Sequence, residues 1–279
     1  MLHECIPVQV DYKKANAEQD GYQPLLYTYV LDGSDSMPLM RERPAVIICP
    51  GGGYTFKSPR EAEPIAMRFL AAGIHAFVLQ YSVAPSRYPS AMLELAAAVK
   101  LVREKAGEWG IKPQCVYIAG FSAGGHLCAS LGTLWKEPLI RESLGGDAAL
   151  WRPDGMILCY PVITFGPYGH QGSKNNLLGN SASPEAAQAL SLETRVDADT
   201  APAFLWHTYE DGAVPVENSL MFSAALRRAG VPFELHVYEK GGHGLSLCDE
   251  TTAQNSAQLK PDDAGWMDLA IRWVKRHAG

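Results

Sequence analysis

Six short apolar runs restrict this chain to one broad class of fold. They are Ala45-Val46-Ile47-Ile48-Cys49, residues 74–81, 115–119, 156–160, 203–207 and 233–238. The first ends at Pro50 and three glycines, the third at Gly120 and the fourth at Pro161. The first five do not alternate polar with apolar residues, and all six read as strands buried on both faces. Helical patterns lie between them. Residues 60–72 form one. Residues 90–109 place Met92, Leu95, Ala96, Val99 and Val102 on one face, and 217–229 align Phe222, Ala225, Leu226 and Ala229. Gly230 suits the stop of that helix. A last helix is expected from about Pro261, with Asp262 and Asp263 in its first turn. Its stripe is Trp266, Leu269, Ala270, Trp273 and Val274, and Lys275 and Arg276 suit its negative end. Strands alternating with helices predict an α/β fold: a mostly parallel sheet with helices on both faces.

Residues 8–12 and 25–31 read as two further strands, forming an antiparallel hairpin at the sheet edge. Residues 163–199 break the pattern, being rich in Gly, Asn, Ser and Pro between two strands. So long a connection reads as a partly helical cap insertion beside the functional site, with a short helix at 184–190. The whole of 1–279 reads as one domain. A chain of this length buries roughly 75% of its unfolded surface, so it needs neither disulfides nor a metal to be stable.

The net charge of −6, with no run of Lys or Arg, argues against a nucleic-acid partner. The six cysteines form no C-x-x-C pair and read as buried free thiols, which favours a reducing compartment. The start, Met-Leu-His-Glu-Cys, lacks a basic segment followed by an apolar core, so no signal peptide is expected. No stretch of about eighteen apolar residues is present, and no membrane association is expected. The expected location is cytoplasmic.

Gly120-Phe121-Ser122-Ala123-Gly124 matches G-x-S-x-G. It follows a strand and opens a helix bearing Leu127, Leu131 and Leu134, the setting a nucleophile elbow requires. A serine hydroxyl needs a base to take its proton. Of eight histidines, His243 fits best: it lies in Gly241-Gly242-His243-Gly244, after the last strand and before the last helix. His75 and His236 fall within strands, His126 on the elbow helix, and His207 just before an acidic loop that it would brace. That loop, Tyr209-Glu210-Asp211-Gly212, supplies the acid, with Asp211 preferred over Glu210. Backbone donors for an oxyanion are expected from Ala123, Gly52 and Gly53. The three glycines are not a phosphate loop, since no G-K-[ST] follows.

Pro50 to Tyr54, Tyr81-Ser82-Val83-Ala84-Pro85, the elbow, Tyr160-Pro161-Val162-Ile163, Asp211 to Pro215 with Glu217-Asn218-Ser219, and Gly241 to Gly244 together carry a family likeness. Over residues 40–279 the chain resembles bacterial α/β-hydrolases of the hormone-sensitive-lipase-like and acetyl-xylan-esterase-like branch. Pro50 stands where the lipase-like members have His; Pro-Gly-Gly-Gly-Tyr is usual among the sugar-esterase-like ones. The resemblance implies an α/β-hydrolase fold and a serine carboxylesterase acting through an acyl-enzyme. The expected substrates are short-chain acyl esters of small molecules, acetylated xylo-oligosaccharides and related sugars among them. No cofactor or metal is expected. Tyr54, Phe165, Tyr168 and His170 are candidates for the substrate pocket. The same three side chains serve aryl formamidases and prolyl-oligopeptidase-like peptidases, although the latter usually carry a propeller for which there is no room. A catalytically silent binding module usually lacks one of the three, and none is missing. The sequence leaves the acyl length and the oligomeric state open, a homo-oligomer included.

Overall fold

The computed structural model describes residues 1–278, apart from the Leu39 side chain. Among them eight strands form one sheet in the order β1-β2-β4-β3-β5-β6-β7-β8. The strands are β1 (Cys5–Pro7), β2 (Leu25–Tyr29), β3 (Arg43–Cys49), β4 (His75–Gln80), β5 (Ile111–Phe121), β6 (Gly155–Cys159), β7 (Ala203–Thr208) and β8 (Phe233–Tyr238). β2 runs antiparallel to both β1 and β4, and every other pairing is parallel. The helices are α1 (Glu63–Ala71), α2 (Ser90–Glu104), α3 (Ala106–Trp109), α4 (Ala123–Leu134), α5 (Pro138–Leu144), α6 (Gln171–Leu178), α7 (Pro184–Ala189), α8 (Glu217–Ala229) and α9 (Trp266–His277).

Successive side chains along a strand point to opposite faces, and in the central strands both faces are dry, whereas β8, at the sheet edge, is only half-buried rather than buried on both faces as expected. Ala45, Ile47 and Cys49 of β3 join Met92 and Leu95 of α2, Leu127 of α4 and Phe222 of α8 in one core. Val46 and Ile48 join Ile65 and Phe69 of α1 with Trp266, Met267 and Trp273 of α9 in the other. That is why the strands read as unbroken apolar runs. Among the described residues no helix is long and apolar enough to cross a membrane.

Several elements depart from the sequence expectation. The first edge strand is Cys5–Pro7 rather than 8–12. Its partner β2 begins at Leu25, preceded by Pro24, so after Val8 N–H reaches the Pro24 carbonyl the strand has nothing left to pair with. The 90–109 helix divides at Lys105, whose ψ of 4° leaves the helical range. Pro261, Asp262 and Asp263 lie in a turn before α9, whose first residue, Trp266, is pinned by its indole N–H to the Ser246 carbonyl at 2.9 Å. The 163–199 insertion is partly helical, and α7 falls where a short helix was expected. Helix α6 was not foreseen, because Gln-Gly-Ser-Lys-Asn-Asn-Leu-Leu carries no apolar stripe.

The N-terminal segment is tied to the domain by a buried carboxylate. Glu94 of α2 accepts from Tyr12 OH (2.8 Å), Ser82 N–H (2.6 Å) and Ser82 Oγ (2.6 Å). Burial pushes its pKa up to about 7, against hydrogen bonds from Ser82 and Tyr12 that favour the anion. The folded value lies above the unfolded one, so folding takes up a proton between the two. This contribution is fully present below the unfolded value and is lost as pH rises through 7. Urea unfolding of wild type and Glu94→Gln at pH 5 and pH 8 should therefore show the wild type losing about 3 kcal/mol relative to the variant. A difference independent of pH would contradict a folded carboxyl that titrates late.

Candidate active site

The parallel strands end in register, Cys49 opposite Gly120, Phe121 opposite Cys159, Cys159 opposite Trp206, and Thr208 opposite Tyr238. The loops that follow β3, β5, β6, β7 and β8 therefore emerge along one edge, where open α/β sheets place their sites. Ser122 follows β5 with φ 53° and ψ −116°, a conformation that L-residues rarely adopt. The turn is closed on both sides by contacts only glycine permits. A Cβ at Gly120 would lie 2.1 Å from the Gly124 carbonyl oxygen, and one at Gly124 would lie 2.1 Å from that of Cys49.

The three side chains expected to meet do meet. Ser122 Oγ donates to His243 Nε2 at 2.7 Å, and His243 Nδ1–H donates to Asp211 Oδ2 at 2.6 Å. Asp211 is 4% exposed. Its other oxygen accepts from the N–H groups of Ala213 (3.0 Å) and Val214 (2.9 Å). Burial alone would raise its pKa. Hydrogen bonds from His207, His243 and Val214 outweigh that and hold the carboxyl well below the usual carboxylate range. Glu210 instead lies at the surface, paired with Lys240 Nζ (2.9 Å) and Gly241 N–H (3.0 Å). His207 is buried against the acid loop. Its Nε2–H donates to the Val214 carbonyl at 2.9 Å, with Asp211 Oδ2 at 3.4 Å, and its Nδ1 accepts from Ser219 Oγ at 2.7 Å.

The glycine loop after β3 presents free donors. Among the described residues the N–H groups of Gly52, Gly53 and Ala123 make no hydrogen bond within the protein. The loop is held by its carbonyls instead. The Gly51 carbonyl accepts from Ser58 N–H (2.9 Å), and the Gly52 carbonyl from Thr55 N–H (2.9 Å). In a trans peptide the N–H points opposite the C=O, so these bonds fix the directions of the Gly52 and Gly53 N–H groups. The Gly53 carbonyl in turn accepts from Asn176 Nδ2 of α6 at 2.8 Å.

The four pocket candidates part company. Tyr54 is buried, its hydroxyl donating to His126 Nδ1 at 3.0 Å, and Phe165 packs on the His126 ring with centroids 4.7 Å apart. Tyr168 is exposed, its carbonyl accepting from Asn218 Nδ2 at 3.0 Å. His170 stands closest to the site: it caps the start of α6, and its Cε1 would lie 3.9 Å from a Cβ at Gly53. Its Nδ1 accepts from Ser173 N–H (3.1 Å) and Ser173 Oγ (2.8 Å), leaving the proton on Nε2. Burial and the neighbouring His243 lower its pKa.

Several supporting residues were not singled out in the sequence. Asn218 is buried and accepts from Ile163 N–H (2.8 Å) and Thr164 N–H (3.1 Å), tying α8 to the segment after β6. It does lie in the Glu-Asn-Ser stretch that carries the family likeness. Glu61, buried in a 3-10 turn at Pro59–Glu61, accepts from Gly51 N–H, and nothing in its sequence setting marks it. Among the described residues no group of three or more His, Cys, Asp or Glu is arranged to hold a metal ion.

The BD-FAE family model matches residues 37–226. The chain belongs to the BD-FAE family. It shares 36% identity over 82% of its length with endo-1,4-beta-xylanase B of Butyrivibrio fibrisolvens, covering 36% of that protein. It shares 30% identity over 80% of its length with the acetylxylan esterase of Xylanibacter ruminicola, covering 45% of it. The chain thus spans between about a third and half of these two relatives. The crystal structure of an acetyl ester-xyloside bifunctional hydrolase from Caldicellulosiruptor lactoaceticus superposes with a TM-score of 0.83 at 35% identity, covering 99% of this chain and 96% of that one. The BD-FAE chain accordingly sits in the esterase and lipase branch of the α/β-hydrolases, as its motifs implied.

His126 is a structural group of this site. Its Nδ1 takes the Tyr54 hydroxyl and its Nε2–H donates to the Leu190 carbonyl at 3.0 Å, and burial lowers its pKa to about 4. Its imidazole nitrogen signals in NMR should report the neutral Nε2–H tautomer, unchanged from pH 8 to pH 5. Protonation near pH 6 would contradict this arrangement.

Proposed function

We propose that this chain is a serine carboxylesterase in which Ser122, His243 and Asp211 act as nucleophile, base and orienting acid. The observation that carries the reading is the continuous hydrogen-bonded path from Ser122 Oγ through the imidazole to a buried, ionised carboxylate. Ser122 attacks the ester carbonyl as His243 Nε2 accepts its proton. The tetrahedral oxyanion is stabilised by the unused N–H groups of Gly52, Gly53 and Ala123. His243 then protonates the departing alcohol. Water, activated by the same imidazole, hydrolyses the acyl-serine. Asp211 holds the proton on Nδ1, so that Nε2 is free to accept.

The substrates proposed are short acyl esters, acetyl groups on xylo-oligosaccharides foremost. Two likenesses support this: one relative is an acetylxylan esterase, and one similar crystal structure is that of an acetyl ester-xyloside bifunctional hydrolase.

Ser122→Ala should fold normally, lose labelling by a fluorophosphonate probe and lose at least about three orders of magnitude in turnover. Asp211→Asn should lower kcat by about 10⁴-fold. Retained labelling in Ser122→Ala would overturn the nucleophile, and a worse defect in Glu210→Gln would overturn the acid. Among p-nitrophenyl esters, kcat/KM should peak at acetate or propionate, with acetate released from acetylated xylo-oligosaccharides. A maximum at long acyl chains would contradict the proposed substrate class.

A further inference from the structure

The oxyanion loop and the base come from opposite ends of the chain, and one buried carboxylate reaches both. Glu61 is 4% exposed. Its Oε2 accepts from Gly51 N–H at 2.9 Å, directly before the free donors of Gly52 and Gly53. Its Oε1 accepts from Tyr160 OH at 2.6 Å. Tyr160 OH in turn accepts from Ser246 N–H at 2.9 Å, three residues past His243, and its ring stands edge-on to the imidazole with centroids 5.2 Å apart. The same 3-10 turn grips the base loop directly. Arg60 Nη2 donates to the Gly244 carbonyl (2.9 Å), and the Arg60 carbonyl accepts from Ser246 Oγ (2.6 Å).

We propose that Glu61 is a positioning residue that locks the oxyanion loop to the His243 loop and, as a buried anion, favours the protonated imidazole formed during acyl transfer. The inference rests on the esterase reading for its catalytic consequence, but the electrostatic part stands on the geometry. Both carboxylate oxygens accept: a proton on Oε2 would face a backbone N–H and have no partner, and one on Oε1 would displace the bond that Tyr160 OH donates. The titratable and charged groups around it are Arg60 on its own turn, His243 from the loop after β8, Tyr160 and Cys159 at the end of β6, and Tyr81 after β4, while the imidazole of His243 itself also faces Asp211 from the loop after β7 and His170 before α6. Burial raises its pKa, while the bonds from Tyr160 and Gly51 and the nearness of His243 and Arg60 favour the anion. An anion in so dry a place acts on a nearby imidazolium more strongly than one in water.

The test uses the full chain with Glu61→Gln and Tyr160→Phe. Glu61→Gln keeps the shape and removes the charge. Its kcat should fall about tenfold with little change in KM, and the acid limb of its kcat/KM profile should move to lower pH by about 0.5. An NMR titration of the His243 imidazole, which needs no turnover, should show the same displacement. Tyr160→Phe leaves Glu61 on Gly51 but cuts the bond to Ser246, and should lower kcat with a smaller displacement. A folded Glu61→Gln with the wild-type imidazole midpoint overturns the inference. If Glu61→Gln does not fold, wild-type kcat in Tyr160→Phe overturns it. Wild-type protein that hydrolyses no ester would sink the esterase reading, while the imidazole midpoint would still decide the role of Glu61.

Discussion

The strained turn at Ser122 is the constraint to which the rest of the molecule is fitted. A non-glycine residue at φ 53° and ψ −116° persists only where its surroundings over-determine it. Three bonds do so. Ser122 N–H donates to the Cys159 carbonyl, and the Ser122 carbonyl accepts from both His126 and Val162 N–H. Those bonds exist because β5 and β6 end in register and α4 begins at once. The close approach they require explains the glycines at 120 and 124, where any Cβ would collide with backbone oxygen. The hydroxyl is lifted off the sheet edge by a distortion that two hydrophobic cores stabilise from either side.

A second theme is that charge near the site is kept dry and fully partnered. Asp211 is buried with four donors close to it, from His207, His243, Ala213 and Val214. A carboxylate left short of donors at that depth would take up a proton instead and could no longer orient an imidazole. His207 matters for this reason. It meets the acid at 3.4 Å while its ring is fixed at both nitrogens by Val214 and Ser219. It is a brace, as its position before the acidic loop suggested.

Much of this was legible in the chain. Doubly buried strands announce themselves by unbroken apolar runs, and the elbow, the acid loop and the Gly-Gly-His-Gly loop each sit where a strand ends. Asp211 was separable from Glu210 only weakly, by position; the structure separates them by burial, one beneath the imidazole and the other paired with Lys240 in solvent. What stayed hidden was of one kind. Asn218 and Tyr160 lay in stretches that carry the family likeness, but their partners are about fifty to a hundred residues away, and Glu61 had no local pattern to mark it. Tyr54 was a pocket candidate, but its side chain turns inward to His126 and only its backbone stays with the glycine loop. The end of β1 and the start of α9 were misplaced because Pro24 and the Trp266–Ser246 bond bear on them, and both are tertiary facts.

The insertion after β6 is bound to the site more tightly than its composition suggests. Asn176 of α6 holds the Gly53 carbonyl and Thr55 Oγ1, and the Leu190 carbonyl receives the proton of His126, which in turn receives that of Tyr54. The glycine loop is thus clamped from above by the insertion and from below by Glu61 and Ser58. A loop fixed on both sides holds its free N–H groups in place, which is the condition the proposed oxyanion role requires. Asn176 is the α6 side chain that meets this demand, and it does so from a helix that carries no apolar stripe, the usual sign of a helix.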